Sequence, residues 1–279
     1  MKVFLLIFKA PISAQVGLLL CVGFALVATL APFLAPYDSA AIVGDVWMPM
    51  SPQHWLGTDN LGRDLLSRLV LGTRTTLVIA GLATLLTFSL GAVAGFVAAV
   101  AGGWVDMCLS RLVDVLMAIP TLIFALVVLS VFPSTVLVLI LVMGVLDSTR
   151  VYRLARAVAM DINVMDYVEA ARLRGEKTAW IVFREILPNA LTPLVSELGM
   201  RFIFAVLFLS ALSFLGLGVQ PPDADWGGLV KENKEGIVFG IPAALAPAAA
   251  IALLTIAVNL VADWILNLTS NIHGERGNV

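Results

Sequence analysis

Side chains able to do acid–base, nucleophilic or metal chemistry are scarce in this chain. Histidine occurs only at His54 and His273. Both lie outside the apolar stretches, which excludes a buried Ser/His pair or a two-histidine metal site within them. Cys21 and Cys108 stand far apart, neither beside a histidine or another cysteine at a metal-ligand spacing, and read as buried spectators. No phosphate-cradling GxxxxGK[ST] loop and no GxGxxG occurs, so neither nucleotide nor another cofactor is expected on this chain. Two patterns remain. Glu197 and Arg201 stand i and i+4 inside an apolar run, which suits an internal ion pair, a gate or a subunit contact. Glu169, Ala170, Ala171, Arg172, Arg174 and Gly175, followed by Leu187 and Pro188, suit the docking of another protein rather than catalysis.

The elements that position these residues follow from composition. Of 279 residues, 60% are hydrophobic and 13% charged, with a net charge of −2 and a mean hydropathy of +1.00. This does not fit a water-exposed surface, and it argues against a basic nucleic-acid binder. A helix crossing roughly 30 Å of hydrocarbon needs about 20 apolar residues. Apolar runs of that kind predict spans near 12–34, 76–100, 191–217 and 236–262, the third interrupted only by Glu197 and Arg201. A longer run, Val115 to Leu146, is divided by Pro133 and Ser134 into spans near 115–131 and 134–150. The expectation is an all-α membrane protein with six transmembrane helices, because helices satisfy their own backbone groups away from water.

Basic residues orient it. With the N-terminus inside, Lys2, Lys9, Arg111, Arg276 and the seven Lys/Arg residues of 147–190 face the cytoplasm. Five face outward: Arg63, Arg68, Arg74, Lys231 and Lys234. Both termini are therefore expected inside. The first apolar run is read as a retained anchor rather than a cleaved signal. The chain divides into a tail and first helix (1–37), an external segment with an interfacial helix (38–74), and a five-helix core (75–279) containing an inner loop at 147–190. Asp147 and Asp263 are expected at the membrane interfaces. Thr58 or Asp59 is expected to cap the external helix, with Asp64 and Arg68 paired along it. The small residues of GAVAG, Gly91 to Gly95, are expected to serve helix packing.

The inner loop reads MDYVEAARLRGEKTAWIVFREILPNALTPL over 165–194. Its pattern predicts a helix capped by Asp166, a turn at Gly175, and a second helix with Trp180, Phe183 and Leu187 on one face, ended by Pro188. On the residues alone this is either an amphipathic connector or a docking helix. The small Ala170 and Ala171 would let a partner approach closely, and Glu169, Arg172 and Arg174 would fix its register.

EAARLRG, with Leu187-Pro188 at a fixed interval in a loop before the penultimate span, resembles the EAA loop of importer-type ABC transporter permeases. One position departs: the family's usual isoleucine is Glu185 here, with Ile186 following. LGTDNLGRDLLSRLVLGTRTTL (56–77) and SALSFLGLGVQPPDADWGGLV (210–230) resemble dipeptide, oligopeptide and nickel permeases. The resemblance implies the type I ABC importer permease fold in a bacterial or archaeal cytoplasmic membrane. It also implies a second related permease, two ATPase subunits that hold the ATP and Mg2+, and an extracytoplasmic solute-binding protein. The eight residues Glu169 to Arg172, Arg174, Gly175, Leu187 and Pro188 would then dock an ATPase. Peptides are the expected solutes, with nickel chelates, opines and glutathione also carried within the family. An ion-gradient-driven secondary transporter is the alternative class.

Overall fold

The computed structural model describes residues 10–276, with side chains through residue 268. Lys2 and Lys9, and the side chains of His273 and Arg276, lie outside the described residues. The chain is helical, and no extended strand forms among the described residues. Helix α1 spans Ile12–Leu34, α2 Leu65–Ala101, α3 Gly103–Ala118, α4 Thr121–Val131 and α5 Val136–Asn163. The short α6, Asp166–Leu173, precedes the long α7, Thr178–Phe214. After it come α8, Trp226–Asn233, two 3₁₀ turns at Lys234–Phe239 and Pro242–Ala244, and α9, Leu245–Arg276.

Four helices, α1, α2, α7 and the stretch Pro242–Leu268 containing most of α9, are long and apolar enough to cross a membrane. Helices α3 and α4 supply a fifth crossing only as a pair bent by 86°. The expected straight span at 115–131 is therefore corrected. The helix breaks at Ile119 and Pro120, whose ring lacks an N–H, and α3 extends back to Gly103 to include Asp106 and Arg111. Pro133 separates α4 from α5 as expected, and Thr135 caps α5 by accepting the Val138 N–H at 3.3 Å. The apolar residues Val136 to Leu146 coincide with the expected 134–150 span. Beyond them α5 continues as a charged rod to Asn163.

Helix α2 is one continuous 37-residue element, so no separate interfacial helix precedes the second span and the boundary expected at 74/75 falls inside α2. Its cap is Asp64, not Thr58 or Asp59. The Asp64 carboxylate accepts from the Ser67 N–H at 2.8 Å and the Ser67 hydroxyl at 2.7 Å. It lies 2.8 Å from the His54 imidazole and does not pair with Arg68. Cys108 is exposed and Cys21 half-buried, so the expected burial of both is corrected too.

Two large apolar cores form along the bundle, beside a small third one of Ala98, Val113 and Tyr152. One gathers Ile79, Leu139, Leu209, Leu212, Trp226 and Leu229. The other gathers Phe96, Val151, Ala155, Val168, Ala171, Ile186 and Leu194, and so joins α2, α5, α6 and α7. The most extensive helix pair is α2 with α5. Gly91 and Gly95 make it, because a Cβ on either would stand 2.5 Å from the Ser148 carbonyl oxygen or 2.7 Å from that of Tyr152. The GAVAG segment serves packing, as its spacing predicts.

Candidate functional site

Helix α6 is a short shelf between two long rods. Val168 and Ala171 are fully buried in the second core, whereas Glu169, Ala170, Arg172, Leu173, Arg174 and Gly175 are exposed. One face thus anchors the helix on its own chain and the other is free. Ala171 is corrected accordingly: its methyl sets the packing of α6, and only Ala170 offers a small side chain outward. Asp166 is the first helical residue rather than the cap, which is Met165. It still places negative charge in the first turn, where the helix dipole favours it.

The helix ends as a Schellman motif. Gly175 N–H donates to the Arg172 carbonyl at 2.9 Å and Glu176 N–H to the Ala171 carbonyl at 3.2 Å. Gly175 holds φ of 81°, which a side chain disfavours. The Arg174 guanidinium then lies 5.7 Å from the Trp180 ring centroid, tying the turn to the start of α7.

A second link runs back into the bundle. Arg172 donates to the Asn163 side chain, and Asn163 Nδ2 donates to the Ala99 carbonyl at 3.1 Å. These two bonds tie α6 to the ends of both α5 and α2. Leu187 is half-buried and Pro188 exposed, but Pro188 does not end a helix. A π-helical turn at Ile181–Ile186 precedes it, with Leu187 N–H donating to the Val182 carbonyl. This wider turn accommodates the missing proline N–H, and α7 continues to Phe214. The same turn reorganises the expected apolar face. Ile181, Val182 and Ile186 are buried, while Phe183 is exposed.

The expected pair forms: Arg201 Nε lies 2.7 Å from Glu197 Oε1. The structure adds Asp147, whose Oδ1 accepts from Arg201 Nη1 at 3.0 Å, which makes Asp147 an interhelical partner of the pair. Sequence reasoning missed a further network that closes residues 38–64 over α8. Asp59, fully buried, accepts from Arg63 Nε at 2.7 Å and Arg68 Nη1 at 2.6 Å. It also accepts the backbone N–H groups of Leu61 and Arg63, each at 2.9 Å. Glu232 of α8 accepts from Arg63 at 2.7 Å and contacts Arg68. Asn233 Oδ1 accepts from Asn60 N at 3.1 Å and Trp47 Nε1 at 3.3 Å. Its partners lie some 170 residues apart in sequence, beyond the reach of any local pattern. Among the described residues, no group of His, Cys, Asp and Glu could hold a metal ion.

Known proteins are similar to this chain. Residues 91–270 match the family model of the binding-protein-dependent transport system inner membrane component. The chain is 33% identical to the glutathione transport system permease protein GsiD of Pectobacterium atrosepticum, over 84% of this chain and 78% of that protein. It is 32% identical to the dipeptide transport system permease protein DppC of Haemophilus influenzae, over 92% and 89%. With the oligopeptide transport system permease protein OppC of Bacillus subtilis the identity is 30%, over 92% and 84%. The fold is similar to a chain of the inward-facing MetNI methionine ABC transporter. There the TM-score is 0.58 at 19% identity, covering 73% of this chain and 97% of that one. A multi-pass apolar bundle that presents a short exposed helix between two long rods, and that carries these sequence relations, is an inner membrane component of a binding-protein-dependent transport system, and the chain belongs to that family.

Proposed function

We propose that this chain is one of two permease subunits of an ATP-driven importer of di- and oligopeptides. In this reading α6 is the coupling helix, both termini face the cytoplasm, and two ATPase subunits carry the ATP and Mg2+. A solute-binding protein delivers substrate on the opposite side. The observation that carries the reading is the two-faced α6, anchored by Val168 and Ala171 and exposed along Glu169, Ala170, Arg172 and Leu173.

When the ATPases close around nucleotide they draw α6 with them. The Arg172–Asn163–Ala99 chain and the glycine-mediated α2–α5 contact then move both rods together, as rigid elements transmitting a bistable change. The π-turn in α7 and the Gly175 turn are where the backbone departs from regular geometry, and they serve as joints. The peptide assignment is supported by the dipeptide and oligopeptide transport systems to which DppC and OppC belong, most of this chain matching either protein.

Proteoliposomes containing the full complex test it. Uptake of a labelled dipeptide should require ATP and the binding protein and should be insensitive to dissipation of ion gradients. Uptake by this chain alone, driven by an ion gradient, would mark a secondary transporter instead.

A further inference from the structure

Halfway along the bundle, α5 and α7 share a four-charge cluster. Arg201 bridges Asp147 at 3.0 Å and Glu197 at 2.7 Å, and the two inner members are largely enclosed. Arg150 differs. Its Nε is 3.9 Å from Asp147 Oδ1, beyond hydrogen-bonding distance. Its guanidinium carbon lies 4.4 Å from the centroid of the Phe204 ring, and its side chain is 38% exposed. Among the described residues this guanidinium makes no hydrogen bond that would occupy its fork. The ring holds it flat and leaves its N–H groups free.

The neighbouring helix places Arg150 within the apolar depth of the bundle rather than at the cytoplasmic face expected of it. The Ser148 carbonyl lies against Gly91, in the middle of the charge-free run from Thr75 to Val105. An arginine with an unused fork at that depth does not face lipid, because charged groups there turn to protein or to a water-filled path. A planar guanidinium with free parallel N–H groups matches a carboxylate in two-point geometry. Asp147 and Glu197 stand close enough to keep the cluster neutral in the absence of ligand, so a passing anion is held weakly and released.

We propose that the Arg150–Phe204 face lines the translocation path, and that Arg150 receives the carboxylate of the solute as it crosses. This rests on the peptide reading above and adds a residue and a ligand group to it.

The test uses the complete reconstituted complex with its unaltered binding protein, present at saturation, and compares a dipeptide having a free C-terminus with its C-terminal amide. Arg150→Gln should lower uptake of the free acid about tenfold, to near the rate of the amide, and leave amide uptake and ATPase stimulation within twofold of native. Phe204→Leu should act in the same direction with a smaller loss, and Arg150→Lys should restore part of the acid preference. Equal loss of both peptides in Arg150→Gln would assign the residue to packing and overturn the proposal, as would the same rate for acid and amide in the native complex. Failure of the native complex to import either peptide with ATP would instead remove the substrate class on which the proposal stands.

Discussion

Gly91 of α2 lies against Ser148 of α5 with no room for a side chain, since a Cβ there would stand 2.5 Å from the Ser148 carbonyl oxygen and 2.7 Å from Val151 Cβ. The neighbours are backbone and the Cβ of a β-branched residue, so they cannot rotate away. Gly91→Val should therefore separate the two rods and destabilise the protein by about 1–3 kcal/mol or more. Gly81, which faces open space, is the control: Gly81→Val should change thermal unfolding in detergent far less. Equal behaviour of the two variants would mean that the α2–α5 contact does not hold the bundle.

Asp59 is the hub of the network over α8, with four hydrogen bonds from Arg63, Arg68 and Leu61. Asp59→Ala leaves two buried guanidinium groups with only the partly exposed Glu232 to neutralise them. Removing one partner of a buried ion pair costs about 3–5 kcal/mol. Limited proteolysis between residues 38 and 64 should accelerate in this variant, while Glu235→Ala, on the exposed side of the following 3₁₀ turn, should leave it unchanged.

Asp225 caps α8 by accepting the Gly227 N–H at 3.1 Å. Burial pushes its carboxyl up to about 6, against the opposing hydrogen bond from Gly227. A carboxyl raised in the folded state binds its proton more tightly there than in the unfolded chain. Its contribution to stability is thus fullest below about 4 and is lost as pH rises through 6, a range worth on the order of 3 kcal/mol. Asp225→Asn retains an oxygen to cap the helix and cannot ionise. Its unfolding temperature should vary less between pH 4 and 7 than that of the native protein, and parallel pH profiles would contradict the assignment.

Gly175 has open space around its Cα, and only its φ of 81° resists a side chain. Gly175→Val should accordingly strain the turn without disturbing the core, at about 1–3 kcal/mol. In the proposed mechanism this misdirects α6. ATP-coupled uptake should fall at least tenfold while the amount of inserted protein stays near native and its unfolding temperature drops by only a few degrees. Unchanged uptake would remove Gly175 from the coupling path.

What the sequence revealed was what local rules govern. Apolar run lengths located α1, α2, α7 and α9. The i,i+4 spacing found the Glu197–Arg201 contact, and the glycine before a polar stretch found the turn after α6. What it concealed depended on partners distant in the chain. Asp147 looked solvated until α7 placed Arg201 beside it, and Asp59 looked like a helix cap until α8 brought Glu232 toward its arginines. Pro188 illustrates a different failure. Proline normally terminates a helix, and only the π-turn over Ile181–Ile186 lets α7 continue through it. Ala170 and Ala171 are chemically identical neighbours, and the tertiary fold alone decides that one faces out and the other in.

That contrast supplies the most direct test of the coupling role. With Cys21 and Cys108 replaced by serine, single cysteines at Ala170, Leu173 and Ala171 are treated with a short bifunctional thiol crosslinker in the assembled complex. Ala170 and Leu173 are exposed and Ala171 is fully buried. A coupling role for α6 predicts nucleotide-dependent adducts with an ATPase subunit from Ala170→Cys and Leu173→Cys and none from Ala171→Cys. Absence of an ATPase adduct at both exposed positions, in every nucleotide state, would contradict it.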